Sequence, residues 1–563
     1  MNRFLPYILS TFVLVLGSNA FGQRYLEEVF SDDEILTDLN VPFATNINFL
    51  LSDFEGASTL VDLGTLSALA DAGAPYPTHY FDPFNDSSDV KVSTVTMDIY
   101  YPDPEVDEVD ERPVMFYLHT GNFLPPPING SPNGTKVDSA AIYLCQEWAK
   151  RGYVAVSCDY RLGWNPLADD LQERRSTLLN AVYRAIHDAK MGVRYLRANA
   201  NDTNDWGIDE SRIVLYGQGS GGYVSQAYVT LDNGPVELFL PKFLPDELVT
   251  DVSYVDTLTV GTIDGWGFPN SLNLYRDNGV SAEVHMSINA GGALADESWL
   301  EAGDVPMCAI NCVRDDFAPF TQGIVIVPTT QEDVVDVHGA NFFIQKANDL
   351  GNNDSFKDIP DGDPFTDAAR SRYGVTYDAS LGGTETVNET PEGLFPVVRP
   401  LASFLFNEAS PWEWWDPNSP LATAVVDEEN GITAHMASLS SNPDMSPEKG
   451  RSYCDSINGY ILPRVMCALE LEGAVCSTPD NILESQLGEF SIYPNPTQNV
   501  FTIQAVKPAD MISVYNVLGE LVTRINQPLA DRVVVDLSGS IDGVYLVTVQ
   551  TEGKVSTRRV IKQ

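Results

Sequence analysis

The sequence predicts a doubly wound, mainly parallel α/β sheet followed by a small all-β sandwich. Short apolar runs suited to buried parallel strands alternate with helical stretches. A glycine-rich turn leads from one of these strands straight into a helix. The C-terminal stretch instead shows short strands of alternating polarity, separated by Leu518-Gly519 and Asp542-Gly543.

Composition limits the class of protein. A chain of 563 residues is expected to form more than one domain, and 44% hydrophobic residues with 10% aromatics support a sizeable core. The formal net charge of −46 argues against binding to nucleic acid or to anionic membranes, since both need a basic face. An acidic surface mainly keeps a protein soluble.

No metal or cofactor is predicted. The acidic stretch 358–367 lacks the Asp-x-Asp-x-Asp-Gly spacing of a calcium loop. The cysteines form no pair of C-x-x-C motifs, so a zinc site is not expected. Buried thiols and disulfides are both open for an exported protein, and an odd number leaves at least one thiol unpaired. The seven cysteines are Cys145, Cys158, Cys308, Cys312, Cys454, Cys467 and Cys476.

The N-terminus has the pattern of a signal peptide over residues 1–22. Arg3 supplies the positive charge, residues 5–16 the apolar stretch and Ala20-Phe-Gly22 the small-residue cleavage site. The apolar run is shorter than the roughly 20 residues that a transmembrane helix needs. We expect a mature chain that begins at Gln23 and has no membrane span.

The predicted domains follow in order. Residues 23–92 form an N-terminal extension and residues 93–475 the α/β domain, with a cap insertion at 230–280. A linker spans 476–488, and a C-terminal β-sandwich spans 489–563. Within the α/β domain the predicted strands are 113–119, 152–161, 213–216, 283–290, 305–311 and 393–398. The predicted helices are 140–151, 178–198, 341–350 and 446–471, the last with a break near Gly459.

Four motifs occur in a meaningful order between residues 95 and 225. They are His119-Thr-Gly121, Asp159-Tyr-Arg161, Asp188 with Val193-Arg194, and the stretch from Gly217 to Gly222. Together they resemble the secreted α/β-hydrolase esterases. The resemblance implies an α/β-hydrolase fold, an ester substrate and a nucleophile elbow, which is a strand–turn–helix written G-x-S-x-G.

The elbow can be aligned in two ways. When the motif is centred on the serine, Ser220 takes the position of the nucleophile. Anchored on the preceding strand and on Gly217, the nucleophile position falls on Gly219, and Ser220 becomes the residue after it. Glycine tolerates the strained backbone of an elbow but has no oxygen that could attack an ester. The first alignment predicts an esterase and the second a protein without this nucleophile.

The resemblance also suggests the remaining site residues. The loop after the strand 305–311 resembles the stretch that carries the triad acid, so the acid would be Asp315. The histidine should follow the last strand, and His435 is late enough in the chain, although it could equally be a surface or capping residue. Backbone N–H groups at Thr120, Gly121 and Gly221 would hold the oxyanion.

The C-terminal domain carries Tyr493-Pro-Asn-Pro496, Val514-Tyr-Asn-Val-Leu-Gly519, Gly543-Val-Tyr-Leu-Val547 and a basic end, Arg558-Arg-Val-Ile-Lys562. These short motifs resemble those of the C-terminal sorting domain of the type IX secretion system of Bacteroidota. The resemblance implies Sec export, the type IX machinery as a partner, and release or attachment at the cell surface.

Three hypotheses for function remain open. The first is an exported carboxylic-ester hydrolase in which Ser220 attacks, His435 is the base and Asp315 orients it. The second is a catalytically inactive hydrolase fold that serves as a binding or surface protein. The third is a glycan-directed protein that uses the aromatic cluster Trp412-Glu-Trp-Trp415, although such a cluster more often packs a loop onto the core.

Overall fold

The computed structural model describes residues 23–246, 249, 251–326, 333–379, 383–390, 392–401, 406–477, 490–505, 509–516, 521–526, 532–541, 543–551 and 554–563. The predicted signal peptide, residues 1–22, lies outside the described residues, as does most of the predicted linker. The chain divides into two units, Met1–Cys476 and Ser477–Gln563.

The first unit has fourteen strands and eleven helices among its described residues. The strands are β1 (Ile35–Ile47), β2 (Val92–Pro102), β3 (Arg112–Leu118), β4 (Val154–Cys158), β5 (Ile208–Gln218), β6 (Met286–Ala290), β7 (Met307–Cys312), β8 (Gln322–Ile326), β9 (Asp333–His338), β10 (Thr376–Asp378), β11 (Thr384–Thr386), β12 (Leu394–Val397), β13 (Val425–Asp427) and β14 (Ile432–Thr433). The helices are α1 (Thr59–Asp71), α2 (Ser139–Lys150), α3 (Leu171–Ala200), α4 (Ser220–Thr230), α5 (Gly234–Glu237), α6 (Thr257–Val260), α7 (Ala340–Asp349), α8 (Pro364–Arg370), α9 (Pro420–Thr423), α10 (Ala434–Ser438) and α11 (Pro447–Ala468).

Eight strands form the central sheet, in the order β1-β2-β4-β3-β5-β6-β7-β12. The pairs from β4 to β12 are all parallel, and only the two strands at the other edge, β1 and β2, are antiparallel to their neighbours. This confirms the predicted fold class. Because the parallel strands run the same way, β5, β6 and β7 end at one edge of the sheet, where loops can meet in a site.

Both faces of the sheet are covered. Successive side chains of β3 point to opposite faces, so Phe116 belongs to the core beneath α3 and α4, and Tyr117 to the core beneath α2 and α11. All seven residues of β3 are buried. This double burial explains why the central strands are continuous apolar runs in the sequence.

Two features of the first unit were not predicted. Residues 35–47, within the predicted N-terminal extension, form the edge strand β1, which pairs with β2 through two register shifts. The hairpin β8–β9 lies outside the central sheet.

In the region of the predicted cap insertion, α5 and α6 are each only four residues long. No helix in the described part of the chain is long and apolar enough to span a membrane.

The cysteines are used in two ways. Cys467 and Cys476 form a disulfide that ties the end of α11 to the last residue of the first unit. The other five cysteines are free and buried. The odd number of cysteines therefore reflects five core thiols and one short-range crosslink.

The second unit consists of two antiparallel sheets. Its strands are β15 (Phe490–Tyr493), β16 (Val500–Ala505), β17 (Met511–Asn516), β18 (Leu521–Asn526), β19 (Arg532–Asp536), β20 (Gly543–Thr551) and β21 (Lys554–Lys562). One sheet has the order β15-β16-β19 and the other β18-β17-β20-β21. Phe501 and Ile503 from the first sheet share one core with Val514 and Val547 from the second, as the predicted sandwich requires.

Candidate functional site

The turn between β5 and α4 has the geometry of a nucleophile elbow. Gly219 lies between the last residue of β5 and the first of α4, with φ +55° and ψ −118°. Its N–H donates to the carbonyl of Ala290 at the end of β6, 2.8 Å away. A positive φ is costly for any residue with a side chain, so glycine suits this position. The structure therefore places Gly219, rather than Ser220, at the apex of the turn.

The flanking glycines allow the close packing that the turn needs. A Cβ atom on Gly217 would collide with the backbone carbonyl of Gly221, and one on Gly221 would collide with the carbonyl of Leu118. The start of α4 thus rests directly on the end of β3. The loop that follows β3 is brought beside the elbow for the same reason.

Thr120, in that loop, fills the space that a side chain at the apex of the turn would occupy. A Cβ atom built on Gly219 would overlap the Thr120 hydroxyl and would lie 3.0 Å from the Thr120 Cβ. The space that a serine side chain would need at the apex is therefore taken by the residue predicted to belong to the oxyanion loop. The next residue, Gly121, has φ +122° and packs against Gly134.

Ser220 is the first residue of α4 and is 6% exposed. Its Oγ lies 3.1 Å from the Tyr160 hydroxyl, which donates its own hydrogen to the carbonyl of His119 at 2.7 Å. The Ser220 hydroxyl must then be the donor to Tyr160. Burial raises the pKa of Tyr160, so this phenol is not a base at neutral pH. Within the described residues, the Ser220 hydroxyl therefore hydrogen-bonds to a phenol and not to a histidine or a carboxylate.

Asp315 lies where the triad acid is expected, in the loop after β7. Its Oδ1 accepts hydrogen bonds from the backbone N–H groups of Phe317, at 2.8 Å, and Ala318, at 2.9 Å. Burial, with a smaller contribution from Asp316, raises the pKa of Asp315 to about 7. The carboxyl group is thus held by its own loop.

No histidine reaches this carboxylate. All six histidines of the chain fall in the part that the structure describes, and none of them hydrogen-bonds to Asp315 or to Ser220 there. His435 lies in α10, where its Nδ1 accepts a hydrogen bond from the Trp415 indole at 3.1 Å. The structure therefore does not join Ser220, Asp315 and His435 into one hydrogen-bonded triad.

The loop after the last parallel strand brings a tryptophan to this edge. Trp412 is fully buried, and its ring lies 3.4 Å from the Cβ position of Gly291, just beyond β6. The Asp315 carboxylate is 4.0 Å from the same position. The sequence had marked Trp412 as part of an aromatic cluster, but nothing in it showed that this ring would lie beside Asp315.

A hydrogen-bond chain holds the residue before the apex. The Gln218 side chain accepts from the Tyr117 hydroxyl at 2.9 Å and donates to Glu413 at 2.9 Å. Glu413 also accepts from Asn133 at 3.3 Å, and burial raises its pKa. Sequence reasoning had not identified Gln218 or Glu413, because their partners come from β3 and from two distant loops.

A mostly apolar pocket opens beside Ser220. Its cavity volume is about 100 Å³, and it is partly open to solvent. Its walls come from the loops after β3 and β4, from α3 and α4, from the segments before and after β6, and from the hairpin β8–β9. The lining includes Leu178, Val182, Tyr223, Phe243, Trp299 and Val335. A concave, mostly apolar site suits a small apolar ligand.

The aromatic cluster does not form a surface platform. Trp412, Trp414 and Trp415 are 0%, 6% and 5% exposed. Nor does the described part of the chain contain a group of three or more histidine, cysteine, aspartate or glutamate side chains that could hold a metal ion.

Comparison with protein-family models supports both the α/β-hydrolase fold of the first unit and the C-terminal sorting domain. Residues 97–252 match the family model BD-FAE, an esterase-like α/β-hydrolase family. Residues 491–563 match the model of the secretion system C-terminal sorting domain. The chain is an exported protein with an α/β-hydrolase domain. Its sorting domain directs it through type IX secretion to the cell surface or the exterior.

Solved structures that resemble this exported hydrolase-fold protein include esterases. Thermogutta terrifontis esterase 2 phosphonylated by cyclosarin is 19% identical, covering 40% of this chain and 69% of that chain with a TM-score of 0.26. The propionate-bound form of the same esterase is 18% identical, covering 40% of this chain and 70% of that chain with a TM-score of 0.24. No curated protein sequence matches the chain.

Proposed function

We propose that the hydrolase domain binds an apolar ligand in the pocket beside the elbow and does not cleave it through a serine–histidine–aspartate triad. The observation that carries this proposal is the position of Thr120. Its hydroxyl fills the place of the nucleophile's side chain over Gly219, and glycine has no oxygen that could attack. Loss of a triad member lowers kcat by roughly 10⁴- to 10⁶-fold in serine hydrolases.

The pocket supports the class of ligand. Its lining is almost entirely aliphatic and aromatic, so transfer of an apolar molecule from water into it is favourable. Ser220 and Asn122 are the polar side chains at its edge. Asn122 can donate a hydrogen bond to an ester, a carboxamide or a hydroxyl group, whereas Ser220, whose own hydrogen goes to Tyr160, can accept one from a carboxamide or a hydroxyl group. We therefore expect a mostly apolar molecule that carries a single polar group.

Ester hydrolysis by Ser220, with Asp315 and His435 in the roles that the sequence suggested, is the second candidate. The observation that favours it is that Ser220 lines the pocket. This mechanism needs a histidine within hydrogen-bonding reach of Ser220, so helix α10 would have to be rearranged.

One experiment separates the two candidates. The mature protein and a Ser220→Ala variant are treated with a fluorophosphonate probe and examined by intact mass, and both are assayed with p-nitrophenyl butyrate. We expect no adduct and no hydrolysis above background, together with saturable binding of the neutral fluorophore 1-aminoanthracene. An adduct that is lost in Ser220→Ala would overturn the first candidate and establish the second.

For the route of export we propose two successive signals. Residues 1–22 would direct Sec export, and the sorting domain would then engage the type IX machinery of a Bacteroidota cell. Removal of residues 490–563 is expected to leave the protein in the periplasm. Cell fractionation with an antibody against the hydrolase domain measures this, and secretion of the truncated chain would contradict the proposal.

A further inference from the structure

Two arginines are buried together beneath the loop that follows β4. Arg161 lies in this loop and is 5% exposed, and Arg184 lies on the adjoining face of α3 and is 3% exposed. The guanidinium carbon of Arg184 is 3.6 Å from the centre of the Phe49 ring, and that of Arg161 is 5.3 Å from the centre of the Tyr275 ring. Aromatic rings and the protein interior thus surround both cations.

Asp188 is the carboxylate bonded to Arg161, and its oxygens are already in use. Arg161 donates to it from its backbone N–H at 2.7 Å and from Nε at 2.8 and 2.9 Å. The Tyr275 hydroxyl adds a further hydrogen bond of 2.6 Å. Asp188 therefore neutralises one of the two arginines.

Three nitrogen atoms of the pair have no acceptor in the described part of the chain. They are Nη1 and Nη2 of Arg161 and Nε of Arg184, and each is shielded from solvent. The Nη2 group of Arg184 does donate to the carbonyl of Gly163. Unpaired buried donors on a charged group are costly, so native proteins seldom leave them without a partner.

The charges around the pair do not supply this partner. Two guanidinium groups against one carboxylate leave one excess positive charge. Lys190 and Arg194, further along α3, also carry positive charge and contact the carbonyls of Ile263 and Val280. Burial, together with the neighbouring Arg161, lowers the pKa of Arg184 to about 9. Such a shift is expected for a cation that lacks a counter-ion.

We propose that Arg161 and Arg184 together bind one small monovalent anion, such as a halide ion, at the junction of α3 and the loop after β4. A single negative charge balances the excess, and the three donors that lack acceptors are its ligands. The anion would also hold the segment from Leu162 to Trp164 in place, because Arg184, one of its ligands, donates to the carbonyl of Gly163. Trp164 forms part of the pocket wall, so the anion would support the pocket as well.

The direct test is crystallography of the mature protein grown with sodium bromide, using the anomalous signal of bromine. We expect one anomalous peak within hydrogen-bonding reach of Arg161 Nη1 and Nη2 and Arg184 Nε. Ordered water at this position without an anomalous signal would overturn the proposal. So would bromide bound elsewhere only, which would be an adventitious ion.

A second test works in solution. At constant ionic strength, replacing gluconate with bromide in about hundred-fold excess over its Kd should raise the Tm of the protein by about 3 °C. Arg184→Met removes the excess charge and should abolish this rise. Arg212→Met, at a partly exposed arginine of β5, should keep it. An equal rise in all three proteins would contradict specific binding at this site.

Discussion

The hydroxyl of Thr120 occupies the space that a Cβ atom on Gly219 would need. The two residues come from different loops, one after β3 and one after β5, and they fit only as a pair. A larger residue at 219 would need a smaller one at 120. The absence of a side chain at 219 and the position of the Thr120 hydroxyl are therefore sterically coupled.

Gly219→Ser is expected to destabilise the hydrolase domain. The serine would bear a positive φ, which costs about 1 to 3 kcal/mol, and would overlap Thr120, which costs about 1 to 3 kcal/mol more. Adding Thr120→Gly should recover the second part. Urea unfolding of both variants measures the difference in free energy. We expect neither variant to hydrolyse p-nitrophenyl butyrate, because no histidine in the described part of the chain hydrogen-bonds to Asp315, so a serine at 219 would gain no oriented base.

Gly73→Ser is the matched control for this prediction. Gly73 has φ +60°, and no atom lies within 4 Å of its Cβ position. Its substitution should cost about 1 kcal/mol, from the backbone conformation alone. If Gly219→Ser is no more destabilising than Gly73→Ser, Thr120 does not occupy the nucleophile's place.

The pocket is expected to lose its ligand when it is filled. Ala295 lines the pocket, and Ala295→Phe would place an aromatic ring in it. Binding of 1-aminoanthracene should weaken at least ten-fold, which corresponds to about 1.4 kcal/mol. Fluorescence titration measures the Kd. The control is Ala72→Phe at an exposed position, which should bind like the unaltered protein. Equal binding by both variants would place the fluorophore elsewhere.

Asp315 is expected to make the protein less stable as the pH rises. Its pKa is about 7 in the folded protein, against 3.8 for an ordinary aspartate. The folded state therefore binds more protons than the unfolded state between pH 4 and 7, and its contribution to the free energy of unfolding falls across this range. Asp315→Asn keeps both backbone hydrogen bonds at Oδ1 and stays neutral. At pH 8 it should be more stable by on the order of 4 kcal/mol.

Below pH 4 the advantage of Asp315→Asn should disappear, because aspartate is then protonated in both states. Chemical unfolding at several pH values gives the difference between variant and parent. Asp82→Asn, at an exposed position, serves as the control and should show no such trend. A constant difference between Asp315→Asn and the parent at all pH values would contradict the raised pKa.

The cysteines predict a definite thiol count. The native protein should react with Ellman's reagent at none of its cysteines, because the five free thiols are buried. Unfolding should expose five thiols, and unfolding with reductant should expose all seven. Replacing Cys467 and Cys476 by serine should cost about 2.5 kcal/mol, since the disulfide closes a short loop. Seven thiols without reductant would exclude the disulfide.

Much of the fold could be predicted because the central strands are buried on both faces and are therefore continuous apolar runs. The predicted strand 113–119 is β3, and the predicted strand 393–398 is β12. The edge strand β1 gave no such signal, because its residues from Leu36 to Asn40 are exposed. The predicted break near Gly459 was wrong. Gly459 lies within the continuous helix α11. A glycine is needed at this position because the Phe365 ring packs where a side chain would be.

The site was less predictable because it depends on contacts between distant loops. The motif allowed Gly219 at the elbow, but only the fold shows that Thr120 fills the space above it. The order of residues allowed His435 as a base, but order does not say that α10 directs this ring to Trp415. The catalytic roles of Ser220, Asp315 and His435, and the oxyanion roles of Thr120, Gly121 and Gly221, stay predictions.

The backbone of Gly219 has a consequence for the stability of the whole domain. A serine at an elbow holds a strained conformation that other parts of an enzyme must offset. Glycine adopts φ +55° and ψ −118° at little steric cost, so this domain keeps the conformation of the turn without backbone strain at residue 219. A serine at this position would make the domain less heat-resistant, so glycine favours durability outside the cell, where the sorting domain directs the protein.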